Sequence, residues 1–256
     1  SQTASVWDGK YVDSLLDLSE EDYQRNVYSS RVEYHIYSAR AFAFFSKQIT
    51  QSTTYNQSNA QYLLEVDVDL NGYEFSPIGT SANPFQGAFY GQKHQIHNLK
   101  FSSQPNVGLF AYAKGATIEA LQLTNFDLSN QTSSSVFGGI VADASNVSIS
   151  NCVVDGKLKT TDSTRFATFG GMLGKVTGGA KAKLENLHSS LKINLSSTNT
   201  VGGIIGSLTT PTNCTISGSS FNGTLVIKNS SNVSAGGIVG SVEIDSTSTL
   251  SNNTLI

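Results

Sequence analysis

Charge is scarce in this chain. Of its 256 residues only 14% are Asp, Glu, Lys or Arg, the formal net charge is −3, and the pI is near 5.8. No basic stripe offers itself to nucleic acid or to an anionic membrane. No apolar run approaches the ~20 residues that span a bilayer, so no membrane span is expected. Methionine and tryptophan occur once each, as Met172 and Trp7, and proline four times. The chain opens Ser1-Gln2-Thr3-Ala4, without an initiator methionine. A removed signal peptide would leave such a start, and so would a piece cut from a longer chain.

The polar positions are filled mostly by Ser, Thr, Asn and Gly, as in many secreted β-proteins. Asn-x-Ser/Thr triplets stand at Asn56, Asn130, Asn146, Asn194, Asn213, Asn222, Asn229, Asn232 and Asn252. They are candidate N-glycosylation sites in a host that glycosylates secreted proteins, although a composition this rich in Ser, Thr and Asn also produces such triplets by chance.

A phrase of two glycines and two apolar residues recurs: Gly138-Gly139-Ile140-Val141, Gly170-Gly171-Met172-Leu173, Gly202-Gly203-Ile204-Ile205 and Gly236-Gly237-Ile238-Val239. With Gly108 as the first anchor, the second glycines are spaced 31, 32, 32 and 34 residues apart. A weaker forerunner is Gly87-Ala88-Phe89-Tyr90-Gly91. Such a period marks a repeat architecture. Within each unit, short Val, Ile and Leu runs are separated by Gly, Asn, Ser and Thr, which is strand-and-turn chemistry. Examples are Val147-x-Ile149-x-x-Cys152-x-Val154 and Leu191-x-Ile193. Helical repeats would need two helices per unit, and propeller blades usually run longer. Three short strands per turn, each stacking on its equivalent one turn on at ~4.8 Å, make an all-β parallel β-helix. Five or six such turns are expected. A single turn cannot bury its own apolar face, so only the stack is stable. The glycines are expected to supply corners with positive φ and close approach of successive turns.

The glycine phrases, each followed by a run like Ile149-Ser-Asn-Cys152-x-Val-x-Gly156, resemble GLUG-type repeats. The upstream blocks Leu64–Gly72, Ser76–Thr80, Phe85–Gly91 and Ile96–Leu99 resemble the opening segment of such domains, and the stretch from Tyr34 to Phe45 resembles the cap before it. The resemblance covers about Trp7 to the end. It implies a right-handed parallel β-helix, in keeping with the handedness of parallel crossovers. It also implies secreted or surface proteins, mostly adhesins and the non-catalytic parts of surface enzymes, with no catalytic residues to carry over. Residues 1–60 are then an N-terminal cap segment with short helices, one over Ser38–Gln48 and a second within Ser14–Gln24. Residues 61–256 are the repeats. One departure, Ala142-Asp143 where other units have Gly followed by Ser or Lys, suggests a local bulge.

Few residues carry a pattern of chemistry. His94-x-x-His97 on a strand points to opposite sides and does not chelate one ion. Asp67 and Asp69 share a strand face, as a carboxylate pair for polysaccharide chemistry would, but they also suit the turn at Leu70-Asn71-Gly72, where Asp caps backbone N–H groups. The glycine phrases lack the Gly-Lys-Ser/Thr of a phosphate loop. His35 and His188 have no visible Ser or Cys partner. The expected reading has no metal, cofactor or catalytic residue. It is a non-enzymatic extracellular module, an adhesin stalk or a filament subunit, whose partners are other protein chains or surface glycans. The alternative is a polysaccharide-active β-helix enzyme, a lyase or glycosidase, whose carboxylates would have to converge on one exterior face.

Three structural expectations follow from the register. Cys152 and Cys214 lie two turns apart, about 9.6 Å, which is too far for a disulfide. The last turn has no cap after it, so self-association through an open C-terminal end, or continuation of the chain, is expected. The paired apolar residues of each phrase both enter the core if the strand bends there, with Gly174, Gly206 and Gly240 as candidate corners.

Overall fold

The computed structural model describes residues 3–209, 214–228, 232–243, 249–251 and 253–256. They form a parallel β-solenoid of about seven turns with one α-helix. The glycine phrase undercounts the turns because the first ones lack it. Strands Val32–Ile36, Ala60–Leu64 and Ala88–Tyr90 already stack in parallel beneath Thr117–Glu119.

One repeat shows how the sequence makes a turn. Strand Ser134–Gly138 ends at the first glycine, the chain bends at Gly139-Ile140, and strand Val141–Ser145 begins at the second apolar residue. Asn146 turns the next corner at φ 53°, and Ser148–Lys159 follows. The register is the one the spacing implies: Phe110, Val141, Leu173, Ile205 and Val239 are successive partners. Because the bend falls between them, both apolar residues of the phrase are buried. Leu109, Phe110, Ile140, Val141, Met172, Leu173, Ile204 and Ile205 are all fully enclosed. Burying each one contributes roughly 1.5–3 kcal/mol against leaving it wet.

Two expectations about this phrase are corrected. The corner lies at the second glycine, not at Gly174, Gly206 or Gly240, which sit inside the following strands. The anchor glycines do not have positive φ. What they supply is proximity. A Cβ on Gly171 would stand 2.2 Å from the Gly203 carbonyl oxygen, and one on Gly203 2.1 Å from that of Gly237. Positive φ belongs instead to asparagine: Asn98, Asn125, Asn151 and Asn186 hold φ between 52° and 66°. Asn tolerates this region better than other side-chain-bearing residues.

No bulge forms at Ala142-Asp143, where the strand pairs regularly with both neighbours. Ala142 fits because the position is a column of small residues, Ala111 below it and Gly174 above. The irregularity lies elsewhere, between Thr124 and Phe126 against Ser148–Lys159, where Gly156 at φ 81° takes up the extra residue.

The N-terminal end is closed by aromatic packing. The α-helix α1, Ala39–Gln51, is buried over most of its surface, as its apolar run Ala41-Phe-Ala-Phe-Phe45 requires. Ser38 caps it, accepting from the Ala41 N–H at 3.1 Å. Phe42 stacks on Phe75 at 5.5 Å and meets Phe89 edge-on, while Phe45 packs on Tyr34 and Tyr62. The second helix expected within Ser14–Gln24 is only a single 3-10 turn, Leu15–Asp17. Leu16 is 93% exposed, so no apolar stripe sustains a longer helix. Tyr23–Val27 leaves that turn as a strand antiparallel to Val32–Ile36. The first sixty residues thus contribute strands to the solenoid as well as α1. No helix among the described residues is long and apolar enough to cross a membrane.

Candidate interaction surfaces

Parallel stacking brings identical side chains together one turn apart. At one corner the asparagines form a ladder. The Asn125 amide donates to Asn98 Oδ1 at 3.3 Å, and Asn98 donates to Asp69 Oδ1 at 2.9 Å. At the next corner Asn186 donates to Asn151 Oδ1 at 3.1 Å. Asn125 Oδ1 also accepts the Lys157 N–H at 2.8 Å, and at another corner Asn146 Oδ1 accepts the Lys181 N–H at 2.7 Å. These amides are fixed because each is both held by a left-handed backbone and bonded to the turn beside it. The signal in the sequence is asparagine at the same strand position in adjacent units, as in Asn98 and Asn125 or Asn151 and Asn186.

The carboxylates considered for chemistry serve the backbone. Asp69 Oδ1 accepts the Asn71 N–H at 2.7 Å, the turn-capping role anticipated for it. Asp67 Oδ1 accepts the Gln95 N–H at 2.9 Å and meets His94 Nδ1 at 3.0 Å. Burial pushes the Asp67 carboxyl up, but these two partners outweigh it and hold it below its ordinary value. His97 sits across from Thr124, three residues on from His94. No group of three or more His, Cys, Asp or Glu among the described residues is placed to hold a metal ion.

The other two histidines have partners the sequence did not reveal. His188 Nδ1 lies 2.6 Å from Ser220 Oγ, its register partner one turn on. His35 lies between Glu65 at 2.9 Å and Glu33 at 3.0 Å, and Arg31 caps Glu33 at 2.7 Å. Burial works against the charged imidazole, yet the two carboxylates prevail and raise its pKa.

Cys152 and Cys214 are both free and buried. Cys152 stands opposite Leu187, and Cys214 precedes Thr215, which pairs two turns back through Lys183 to Ser148. Burial pushes the Cys152 thiol up to about 12 and that of Cys214 to about 11, which keeps both protonated and unreactive.

The asparagine triplets divide by environment. Asn56 is 1% exposed, and its amide nitrogen donates to Asn83 Oδ1 and the Pro84 carbonyl, which leaves no room for a glycan in the folded chain. Asn130 and Asn146 are half-buried, and Asn130 donates to the Phe101 carbonyl. Asn194, Asn222 and Asn232 are exposed. Asn213, Asn229 and Asn252 lie outside the described residues.

At the C-terminal end the core columns come to the surface. Leu208 is 2% exposed, whereas its partner Val242 one turn on is 43% exposed. Phe221 is 2% exposed and its partner Leu255 65%. Comparison with family models, with curated proteins and with solved structures found no match.

Proposed function

We propose that this chain is a non-enzymatic structural and adhesive module of a secreted or cell-surface protein, built as a stalk. The observation that carries the reading is the exposed end of the stack. Columns that are dry through the preceding turns are half-buried at Ile238 and Val239 and open at Val242 and Leu255, beside strand edges that carry no further turn among the described residues. Such an edge accepts another turn of the same kind, from a continuing chain or from a second copy. At the opposite end α1 and its aromatic cluster pack over the first turns, so the C-terminal edge is the face we assign to a further turn or a second copy. The resemblance of the glycine phrases to GLUG-type repeats supports the same reading, as do the exposed triplets at Asn194, Asn222 and Asn232, which suit a glycoprotein.

Sedimentation velocity over a concentration series tests it. The chain should show a monomer–dimer equilibrium, and the double variant Leu255→Asp, Ile256→Asp should be monomeric with an unchanged fold. A chain that stays monomeric throughout, and that cleaves a polysaccharide in a manner abolished by Asp67→Asn, would establish the enzyme reading instead.

A further inference from the structure

Lysines gather where the asparagine ladder meets the bulge. The strand register sets Lys100 beside Asp127, and Asp127 beside Lys159. Lys157 stands two residues before Lys159, its backbone fixed by Asn125, and both lysine side chains are exposed. Exposed Lys192 opens the next strand of this corner. Lys157 and Lys159 line two adjoining depressions. One, of about 390 Å3, also takes in Asn98 and Asn125, and the other, of about 560 Å3, reaches Lys192. Together they form a groove along the solenoid axis from Asn71 to Lys192. This spans four turn-to-turn steps, or about 19 Å.

The charge here runs against the rest of the molecule. The chain as a whole carries −3, yet Asp127 is the one carboxylate lining either depression among the described residues. Its oxygen is already engaged by the N–H and hydroxyl of Ser129. Beyond the groove, Glu74 stands in register with Lys100. With Glu74 set against Lys100 and Asp127 against Lys159, Lys157 and Lys192 are left as surplus positive charge.

We propose that this groove binds a linear polyuronate, a carboxylated glycan laid along the solenoid axis. The proposal rests on the adhesive reading above and names its partner class. Lysine ammonium groups are mobile point charges that suit carboxylates spaced along a chain. The asparagine amides donate and accept, as sugar hydroxyls require, and their ladder holds them in place before the ligand arrives. A polyuronate carries one carboxylate per ring, so successive rings can meet Lys157 or Lys159 on one turn and Lys192 on the next. Single-stranded nucleic acid would want aromatic faces for its bases, but the aromatic ring lining the groove, Phe126, is 2% exposed.

Titration calorimetry of the full chain at low salt with hexagalacturonate tests the proposal. Heparin hexasaccharide, maltohexaose and a thymidine dodecamer serve as comparisons. Hexagalacturonate should bind most tightly, weaken with added salt, and lose about tenfold or more in affinity in the variant Lys157→Ala, Lys159→Ala, Lys192→Ala. The matched variant Lys114→Ala, Lys181→Ala, Lys183→Ala, which removes the same charge from other exposed positions, should change affinity by less than about twofold. Thermal midpoints of both variants establish that they fold. Equal loss in the two variants would reduce the effect to net charge and overturn the site. Tighter binding of heparin or the oligonucleotide, or no binding of hexagalacturonate, would overturn the polyuronate. None of these outcomes alters the dimerisation measurement, so the two proposals can fail separately.

Discussion

At the scale of single residues, the glycines of this chain do two unlike jobs. Gly171 has no positive φ but no room: a Cβ there meets the Gly203 carbonyl oxygen at 2.2 Å, and backbone does not step aside as a side chain does. Gly115 is the converse, with φ at +67° and nothing within 4 Å. Gly171→Ala should therefore cost roughly 3 kcal/mol, the upper end of overpacking penalties. Gly115→Ala should cost about 1 kcal/mol, the local price of a left-handed backbone. Urea denaturation of both variants measures the difference. Equal costs would mean that turn-to-turn contact is looser than the carbonyl distances indicate. The recurring Gly-Gly was legible from the sequence, but its cause was not, because a sequence shows that a residue is small without showing whether the need is torsional or spatial. Asparagine carried the torsional load, and its ladder went unread because Asn is common throughout this chain.

At the scale of elements, an ionic joint adds to the aromatic packing that closes the N-terminal end. Buried Asp22 receives Arg40 Nε at 2.8 Å and Nη2 at 2.6 Å, the Ser38 hydroxyl at 2.7 Å and the Ser19 N–H at 2.9 Å. It thereby ties the turn before Tyr23–Val27 to the first turn of α1. The Arg40 guanidinium above all holds the Asp22 carboxyl well below the usual carboxylate range. Because the folded value lies below the unfolded one, the stabilisation is full above about pH 4 and is lost as pH falls through the folded value. Arg40 is half exposed, so Asp22→Asn should cost a modest amount at neutral pH, about 1–2 kcal/mol. The gap between variant and wild type should close as pH is lowered from about 7 towards about 2. Thermal midpoints across that range decide it, and a constant gap would remove Asp22 from the closure. From the sequence, Ser38 and the apolar run after it identified α1. The fate of Ser14–Gln24 was not readable, since Asp22 acts on Arg40 and Ser38, many residues away, and local spacing does not report such contacts. The solenoid repeats were the most legible part, because each turn restates the same columns. The lysine groove was the least, because its lysines stand on separate turns and no recurring phrase marks them.

At the scale of the whole molecule, stability should grade along the stack. The first turns bury Trp7, Phe42, Tyr62, Phe75, Phe85 and Phe89 around α1, whereas the last ones expose Val242 and Leu255. Each turn touches chiefly its neighbours, so damage should spread from its origin instead of melting everything at once. Leu173 lies near the middle, fully buried, with Val141 and Ile205 on either side. Leu173→Asp places a carboxylate in a dry column and should destabilise the surrounding turns by roughly 4 kcal/mol. Val226→Asp, at a position 46% exposed, should change stability by less than about 0.5 kcal/mol. Amide hydrogen exchange read strand by strand gives the decisive pattern. In Leu173→Asp, protection should fall first in Ile205–Thr209 and Val239–Glu243, which stack on its C-terminal side towards exposed Val242 and Leu255. Ala60–Leu64 and Ala88–Tyr90, anchored by α1, should keep theirs. Uniform loss from end to end would show a single cooperative unit and refute the graded stack. An unchanged midpoint would place the second apolar column on the surface, as a contact stripe running the length of the solenoid.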